Sequence, residues 1–222
     1  MVNFNRILGA GLTSLDARQK LVSRLKNKGI SNKIILEIIK NIPRHLFIET
    51  ALRDRAYNDV ALPIGYNQTI SQPYIVGKMT QLIFENDNMK KILEIGTGCG
   101  YQTAILASLF KTVVTIERIK PLYIRTSKSL KRMGFKNIKC IFGDGFNGSI
   151  VDSPFDAILM TAAPTTIPDQ LIRQLKPNGR MVMPLNEHGK QKLLRIKNTK
   201  NGILKKVVDD VLFVPMVEGT TD

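Results

Sequence analysis

The sequence predicts an α/β fold in which a doubly wound, mostly parallel sheet carries a helical N-terminal cap and an antiparallel C-terminal edge. Beyond Lys90, short and nearly all-apolar strands alternate with amphipathic helices, which is typical of parallel strands covered on both faces. Before Lys90 the apolar spacing is mainly helical. Near the C-terminus, Asn201-Gly202 separates two strand-like runs and predicts a type I′ hairpin.

The first ninety residues are predicted to be helical around one irregular segment. A helix is predicted over residues 16–29, and Ser31 is predicted to cap a second helix that ends before Pro43. A helical stretch follows near 44–51. Periodicity then disappears over residues 57–71, and a long irregular stretch inside a compact domain is often functional. A helix is then predicted over residues 72–84, and its first turn contains Pro73.

The second part of the chain is predicted to be the α/β core. Its elements in order are strand 91–95, helix 101–109, strand 112–116, helix 121–133, strands 138–142 and 155–160, helix 167–175, turn 176–179, and strands 180–184, 190–196 and 203–213. We therefore predict one compact, Rossmann-like domain. Residues 1–89 form its helical cap and substrate loop, integral to the fold, and residues 90–222 form its cofactor-binding core.

Composition limits the classes of partner. The formal net charge is +15, which invites a nucleic-acid interpretation. However, the cations are scattered and the chain has no Trp, so no basic stretch is interleaved with stacking aromatics. Non-specific attraction of polyanions is expected, and a specific nucleic-acid partner is not. Without an apolar run of about 20 residues or a secretory signal, we expect no membrane association and a cytoplasmic location.

Few residues are suited to bind a metal. Cys99 and Cys140 are the only cysteines and His45 and His188 the only histidines, and none of them lies in a ligand-like cluster. We expect neither a metal site nor a disulfide. Cys99 is interpreted as a small turn residue rather than a nucleophile, because no histidine is near it in sequence.

A glycine-rich turn predicts a ligand cradle. Gly96, Gly98 and Gly100 follow a strand and precede a helix. Without side chains, the backbone approaches a ligand closely, and the helix N-terminus offers free N–H groups. The pattern alone is weak evidence, since nicotinamide enzymes use a close relative of it.

Three acidic residues near successive strand ends make the cradle more specific. Glu94 precedes the turn, where it could reach a ligand's ammonium group, and Glu117 is placed to accept ribose hydroxyls. Asp144 could accept from an adenine amino group. A ligand with an ammonium, a ribose and an adenine but no phosphate is S-adenosylmethionine. The alternative is that these acids are ordinary polar residues at strand ends. The presence of all three at successive strand ends makes this alternative less favoured.

The loop before the third helix carries hydroxyls and an amide but no strong base. This composition indicates a transferase that positions its substrate rather than a hydrolase with an activated nucleophile. Ser71 is the candidate catalytic residue. Its position immediately before a helix also fits an N-cap, and by position alone the cap is favoured.

Several segments, taken together, closely resemble protein-L-isoaspartate O-methyltransferases, a family of class I S-adenosylmethionine-dependent enzymes. They run in order from about Ala17 to the C-terminus: Leu62-Pro-Ile-Gly, Gln68-Thr-Ile-Ser-Gln-Pro-Tyr74, Leu93-Glu-Ile-Gly-Thr-Gly-Cys-Gly-Tyr-Gln-Thr-Ala104, Glu117-Arg118, Gly143-Asp-Gly145, Phe155-Asp-Ala-Ile158, Thr161-Ala-Ala-Pro164, Leu175-Lys-Pro-Asn-Gly-Arg180 and Phe213-Val-Pro215. Other methyltransferases lack the Thr-Ile-Ser-Gln-Pro-Tyr loop, so the resemblance is specific.

The resemblance implies methyl transfer from S-adenosylmethionine to the free α-carboxylate of L-isoaspartyl residues. The ester re-forms a succinimide and thereby initiates repair of the damaged protein. Ser71 matches the family's active-site serine, and the family's cofactor positions fall on Gln68, Thr69, Ile70, Glu94, Gly96, Thr97, Gly98, Gly100, Glu117, Asp144 and Gly145. The resemblance also implies a monomer. Cys99 in place of the usual serine and Asn67 in place of a frequent glycine are mild departures.

Two alternatives stay open. A nucleic-acid N-methyltransferase of the same fold would have an Asn/Asp-Pro-Pro-aromatic motif after the fourth strand, where this chain has Thr161-Ala-Ala-Pro164. A binding module would keep the cradle and lose turnover. A separate hypothesis concerns three Asn-Gly pairs, at 147–148, 178–179 and 201–202, which are prone to form succinimides and would make the aged enzyme its own substrate.

Overall fold

The computed structural model describes residues 11–85 and 88–222 and contains the predicted sheet. Its seven strands have the order β5-β4-β3-β6-β7-β8-β9. The strands are β3 (Lys91–Ile95), β4 (Thr112–Glu117), β5 (Ile138–Phe142), β6 (Phe155–Met160), β7 (Leu175–Glu187), β8 (Lys190–Thr199) and β9 (Gly202–Asp210). The pairs from β5 to β7 are parallel, and β7, β8 and β9 pair antiparallel. The predicted α/β class with an antiparallel C-terminal edge is confirmed.

Helices cover both faces of this sheet. They are α1 (Leu15–Asn27), α2 (Lys33–Asn41), α3 (Pro73–Ile83), α4 (Tyr101–Ala107), α5 (Lys120–Arg132) and α6 (Asp169–Arg173). The central strands β3 and β6 are buried almost throughout, as their unbroken apolar sequences require. One hydrophobic cluster joins α1 and α2 to α4 and α5, whereas the other two pack on the faces of the sheet.

The N-terminal helices differ from the prediction in their caps. Asn32, not Ser31, caps α2, because its side chain accepts hydrogen bonds from the N–H groups of Ile34 and Ile35. The predicted helical stretch near 44–51 consists of two 3-10 helices, Arg44–Phe47 and Thr50–Arg55. Residues 1–10 and 86–87, which belong to the predicted cap, lie outside the described residues.

The segment predicted to be irregular contains a small hairpin. Strands β1 (Leu62–Gly65) and β2 (Gln68–Ile70) pair antiparallel across a two-residue turn. Tyr66 and Asn67 in this turn have φ of 54° and 55°, so both adopt the positive φ that a type I′ turn requires. The hairpin brings Gln68–Ile70 and Ser71 to the start of α3.

The turn at the C-terminal hairpin also differs from the prediction. The two-residue connection between β8 and β9 consists of Lys200 and Asn201, and neither has positive φ, so the turn is not type I′. Only Gly202, at the start of β9, has positive φ, 104°. Because β7 begins at Leu175 and includes the segment predicted as turn 176–179, helix α6 is shorter than predicted.

After β9 the chain returns along the carboxyl ends of the parallel strands. Ala163 N–H donates to Val214 O, and Met216 N–H donates to Ala163 O. Further on, Thr221 forms a parallel bridge with Ile119. Residues 211–222 therefore cover the edge of the sheet at which ligands bind in doubly wound folds. In the described ranges, 11–85 and 88–222, no helix has the length and apolar character needed to cross a membrane.

Candidate active site

A cavity of about 740 Å³ lies at the carboxyl ends of the central strands. Three parts of the chain form its walls. They are the cap segments 59–61 and 68–72, the core segments 95–99, 116–119 and 161–162, and the C-terminal segment 210–217. The cavity therefore brings the predicted substrate loop and the predicted cofactor turn to one site.

The glycine-rich turn between β3 and α4 needs its glycines for two reasons. Gly96, Gly98 and Gly100 all have positive φ, between 54° and 92°. A Cβ on Gly96 would lie 2.3 Å from the Thr161 hydroxyl oxygen, and one on Gly100 would lie 2.8 Å from a methyl carbon of Thr126. Gly98 lines the cavity, and a Cβ there would meet only Ile64, at 3.4 Å. The turn thus presents bare backbone to the cavity.

Glu117, the last residue of β4, is on the cavity wall. Its carboxylate accepts from Gly98 N–H at 2.8 Å and from Ile119 N–H at 2.9 Å, so it fixes the glycine-rich turn. A carboxylate has about four acceptor positions, so about two are not used by the described residues.

Glu94 occupies a different place from the one expected. Its side chain is fully buried and is not on the cavity wall. One oxygen accepts from the hydroxyls of Thr103 and Thr115 at 2.6 and 2.7 Å, whereas the other has no hydrogen-bond partner among the described residues. Burial raises the pKa of Glu94 to about 7. In this geometry Glu94 supports α4 and β4 from behind the cavity wall, and its contact with a ligand's ammonium group stays a prediction.

Asp144 is likewise engaged within the protein. Its two oxygens accept from Phe146 N–H at 2.9 Å and from Gly219 N–H at 2.8 Å, so it joins the end of β5 to the C-terminal segment. The neighbouring Gly145 is on the cavity wall, and a Cβ there would lie 2.4 Å from Ile95. This site needs glycine because β3 packs directly against it.

Ser71 lies half-buried on the cavity wall. Among the described residues its hydroxyl has no hydrogen-bond partner, and it is not the cap of α3. The N-cap position is Gln72, and the acceptor for the first turn comes from Asp59, which binds Tyr74 N–H at 2.8 Å. The competing interpretation of Ser71 as a helix cap is therefore wrong.

Most of the predicted site residues meet at the cavity. On its walls are Gln68, Thr69, Ile70, Ser71, Gly96, Thr97, Gly98, Glu117 and Gly145. Glu94, Gly100 and Asp144 lie behind it. The sequence prediction missed Asp59 and the C-terminal segment, although Phe213-Val-Pro215 was among the segments that carry the family resemblance.

Among the described residues, the cavity walls carry no strong base or activated nucleophile. His45 is buried elsewhere, with Nδ1 2.8 Å from the Tyr57 hydroxyl, and burial lowers its pKa to about 4. His188 lies in an exposed turn. Cys99 lines the cavity, but burial raises the pKa of its thiol, which disfavours the reactive thiolate. No metal-binding group of three or more acidic, histidine or cysteine side chains occurs in the part of the chain that the structure describes.

Comparison with known sequences gives one consistent result. A family profile described as protein-L-isoaspartate(D-aspartate) O-methyltransferase matches residues 16–221. A Nitrosomonas eutropha protein-L-isoaspartate O-methyltransferase is 47% identical over 214 residues, which cover 96% of each chain. An enzyme of the same name from Ectopseudomonas mendocina is 45% identical over 208 residues, covering 94% of this chain and 99% of that protein.

Solved structures agree with the sequences. One protein-L-isoaspartate O-methyltransferase has a TM-score of 0.83 and 26% identity, covering 89% of this chain and 65% of its own, longer chain. A Plasmodium falciparum protein described as the same kind of enzyme has a TM-score of 0.79 and 25% identity, covering 90% of this chain and 98% of its own. That crystal structure is a complex with S-adenosyl-L-homocysteine.

Proposed function

The chain belongs to the protein-L-isoaspartate(D-aspartate) O-methyltransferase family, and from this premise we propose how its own residues carry out the reaction. Members of the family transfer a methyl group from S-adenosylmethionine to isoaspartyl residues of proteins, and this chain is such an enzyme. The acceptor is the free α-carboxylate of the isoaspartyl residue, and the ester leads back to a succinimide. We propose that Ser71 positions the acceptor and that the glycine-rich turn with Glu117 holds the cofactor.

The chemistry of the acceptor explains why the cavity needs no base. A carboxyl group has a pKa near ~4, so at neutral pH the acceptor is already an ionised nucleophile. The remaining tasks are to align it with the methyl group and to exclude water. Neutral hydroxyl and amide donors on the cap segment suit these tasks, because a strong cation in direct contact would reduce the carboxylate's nucleophilicity.

The observation that carries this proposal is the unengaged hydroxyl of Ser71 on the same cavity as the glycine-rich turn. Since Asp59 supplies the acceptor for α3, Ser71 is available to donate a hydrogen bond to one carboxylate oxygen. The other oxygen is then left to attack. Gln68, Thr69 and Ile70 line the same cavity, and we place them at the junction of acceptor and cofactor.

The residues on the opposite wall fit S-adenosylmethionine. The bare backbone at Gly98 admits a close ligand, and Glu117 retains acceptor positions for ribose hydroxyls. When bound, the cofactor supplies an electrophilic methyl group on a sulfonium. Glu94, Gly96, Thr97 and Gly100 shape the turn, while Asp144 and Gly145 shape the adjoining wall and its contact with the C-terminal segment.

The experiment is a methyl-transfer assay with three acceptors. Purified enzyme and labelled S-adenosylmethionine are incubated with an isoaspartyl peptide, its normal aspartyl twin, or RNA. We expect label on the isoaspartyl peptide alone. Label on RNA alone would support the N-methyltransferase alternative, and cofactor binding without any label would support the binding-module alternative.

We also propose a cytoplasmic, monomeric enzyme that acts on isoaspartyl peptides and proteins without a specific nucleic-acid partner. The hydrophobic cluster shared by α1, α2, α4 and α5 supports a single domain in which the cap (1–89) and the core (90–222) unfold together. Light scattering during gel filtration, and one coincident unfolding transition by two spectroscopic probes, would test these two proposals.

A further inference from the structure

Arg44 is a fully buried cation without a carboxylate partner. It has 0% exposure, and among the described residues none of the ion pairs within 4.0 Å includes it. Its Nη1 has no hydrogen-bond partner there. Burying an unpaired charge is costly, and a protein retains one where another charge compensates it or where it has a function.

The guanidinium lies one layer behind the cavity wall. Its Nε donates to Ala56 O at 2.9 Å, and Nη2 approaches Val60 O at 3.4 Å. Its Cζ lies 5.0 Å from the ring centroid of Tyr101. Val60 and Tyr101 both line the cavity, whereas Arg44 does not. The charge is therefore close to the cavity but touches nothing inside it.

Asp59, an acid on the cavity wall, attracts Arg44 but offsets its charge only in part. Asp59 is the acid of the adjoining loop, and it is already paired with Lys28 at 2.6 Å. Burial lowers the pKa of Arg44, but an arginine starts so high that it stays charged at neutral pH. A positive field therefore remains at the cap-side wall, where an anion entering the cavity would experience it with little screening.

We propose that Arg44 is a positioning residue that makes the enzyme select an ionised acceptor through its field rather than through contact. This inference rests on the proposed function, which places the acceptor carboxylate beside Ser71 on the same wall. Distance is an advantage here, because a direct ion pair would occupy the lone pairs that must attack the methyl group.

The same field aids release of the product. When the carboxylate oxygen bonds to the methyl group, the carbon–sulfur bond breaks and its electron pair stays on sulfur. The carboxylate becomes a neutral ester, and the sulfonium becomes a neutral thioether. The attraction to Arg44 disappears in that step, so substrate is held more strongly than ester.

The test compares two peptides that differ only in this charge. One has an isoaspartyl residue, and the other has isoasparagine, in which the α-carboxylate is replaced by a neutral carboxamide. Their binding is measured by calorimetry with S-adenosyl-L-homocysteine present, so that no turnover occurs. The ratio of the two dissociation constants reports charge selectivity, and a general loosening of the loop would weaken both peptides alike.

Three variants separate charge from tethering. Arg44→Gln removes the charge but keeps an amide donor, and Arg44→Met removes both the charge and the donor. Arg24→Gln is the matched control, because exposed Arg24 donates to Tyr57 O in the same loop. We expect wild type to prefer the charged peptide by about 10-fold, as a charge about 8 Å away at intermediate dielectric would give. Arg44→Gln and Arg44→Met should both bring the ratio close to one, whereas Arg24→Gln should keep most of it.

The inference would be overturned if Arg44→Gln kept the wild-type ratio of the two dissociation constants. It would also be overturned if Arg24→Gln lowered that ratio as much as Arg44→Gln does. If Arg44→Gln does not fold, the ratio of the two dissociation constants is measured for the wild-type enzyme at about 0.05 M and about 0.5 M salt. Salt screens a buried charge poorly, so selectivity that comes from Arg44 should persist at high salt. If the ratio falls by less than 2-fold between the two salt concentrations, Arg44 is supported as the source of the selectivity. A ratio near one at high salt would overturn the inference. Wild-type turnover of the isoaspartyl peptide is scored separately, so failure of the proposed function is distinguishable.

Discussion

At the scale of single residues, the hydroxyl of Ser71 is the group on which the proposed chemistry depends most. We expect Ser71→Ala to lower kcat by about 10- to 100-fold, because a hydrogen bond to a charged group contributes about 1.5–3 kcal/mol. The affinity for S-adenosyl-L-homocysteine should stay within a factor of about two, since the glycine-rich turn is unchanged. Initial rates and calorimetry on the same preparation measure both quantities.

The melting temperature provides the control for this variant. Because Asp59 caps α3 and Ser71 bonds to no described residue, removing the hydroxyl should leave stability unchanged. A drop in melting temperature that accompanies equal losses of turnover and cofactor affinity would mean that Ser71 is structural after all.

Glu94 provides a test of burial that is independent of catalysis. Its pKa rises from 4.5 to about 7, so the folded protein holds this proton more tightly than the unfolded chain does. For a raised carboxyl pKa, stability decreases as pH rises from about 4.5 through 7, and the full penalty of about 3 kcal/mol is present above that window. Glu94→Gln keeps the shape and an acceptor for Thr103 and Thr115 but cannot titrate.

The predicted signature is a pH-dependent difference between two proteins. The unfolding free energy of Glu94→Gln minus that of wild type should increase by up to about 3 kcal/mol between about pH 5 and about pH 8. The change at His45, whose pKa is lowered, is common to both proteins and cancels. Urea unfolding of the ligand-free proteins measures the difference, and a value independent of pH would contradict the raised pKa.

The sequence predicted which residues line the cavity better than it predicted the hydrogen-bond partners of their side chains. The glycines, Glu117 and Ser71 were found because strand ends and a helix start have strong local signals. The hydrogen bonds of Glu94 to Thr103 and Thr115, and of Asp144 to Gly219, could not be predicted, because they join residues 9, 21 and 75 positions apart. Which way a strand-end carboxylate turns is decided by such partners.

At the scale of elements, helix α3 shows how a cap from elsewhere in the chain frees a functional residue. Asp59 accepts from Tyr74 N–H, its carbonyl accepts from the Gln72 side chain, and it pairs with Lys28. Asp59→Ala should destabilise the protein by about 1 kcal/mol, the usual cost of a lost N-cap. It should also lower kcat, because the start of α3 carries Ser71.

Two further variants separate the cap from the ion pair. Asp59→Asn retains the acceptor oxygen and should recover most of the stability and turnover. Lys28→Met removes the ion pair of a half-exposed lysine and its contact with the Tyr74 ring at 5.4 Å, and should change stability by less than about 1 kcal/mol. Thermal melts and initial rates compare the three proteins. If Asp59→Asn behaves like Asp59→Ala, the charge and not the cap is what matters.

The hairpin formed by β1 and β2 is the element that the sequence did not reveal. Pro63 and Gly65 interrupt the alternation by which strands are recognised, and a tyrosine at positive φ is unusual. In contrast, β3, β4 and β6 were predicted to within one residue, because short apolar runs between helices have few other interpretations. Local patterns therefore predicted the core and failed where tertiary contacts fix the backbone.

At the scale of the whole molecule, the order of the sheet follows from general rules but the closure of the site does not. Alternating strands and helices dictate a doubly wound sheet with ligands at the strands' carboxyl ends. The return of residues 211–222 across that edge depends on single hydrogen bonds, such as Gly219 N–H to Asp144. No periodic pattern in sequence specifies such a path.

The geometry of the whole molecule also decides how the enzyme would age. Asn201-Gly202 lies exposed at the tip of the β8–β9 hairpin. In contrast, Asn147 and Gly148 are held against Gln174, and Gly179, which follows exposed Asn178, is buried against the backbone of Lys176. Deamidation should therefore be fastest at Asn201. Strand β9 has nine residues and leads from this tip to Asp210 on the cavity wall, a distance of about 30 Å.

An isoaspartyl residue at 201 thus cannot enter the cavity of its own molecule, and self-methylation must occur between molecules. After prolonged warm storage, we expect methyl label at the peptide containing residues 201–202, with an initial rate that rises with the square of enzyme concentration. Asn201→Ser is the control and should lose that label while retaining activity on added isoaspartyl peptide. Peptide mapping of a dilution series measures both properties. A rate proportional to enzyme concentration would show reaction within one molecule, and label confined to 147–148 would show that exposure does not control ageing.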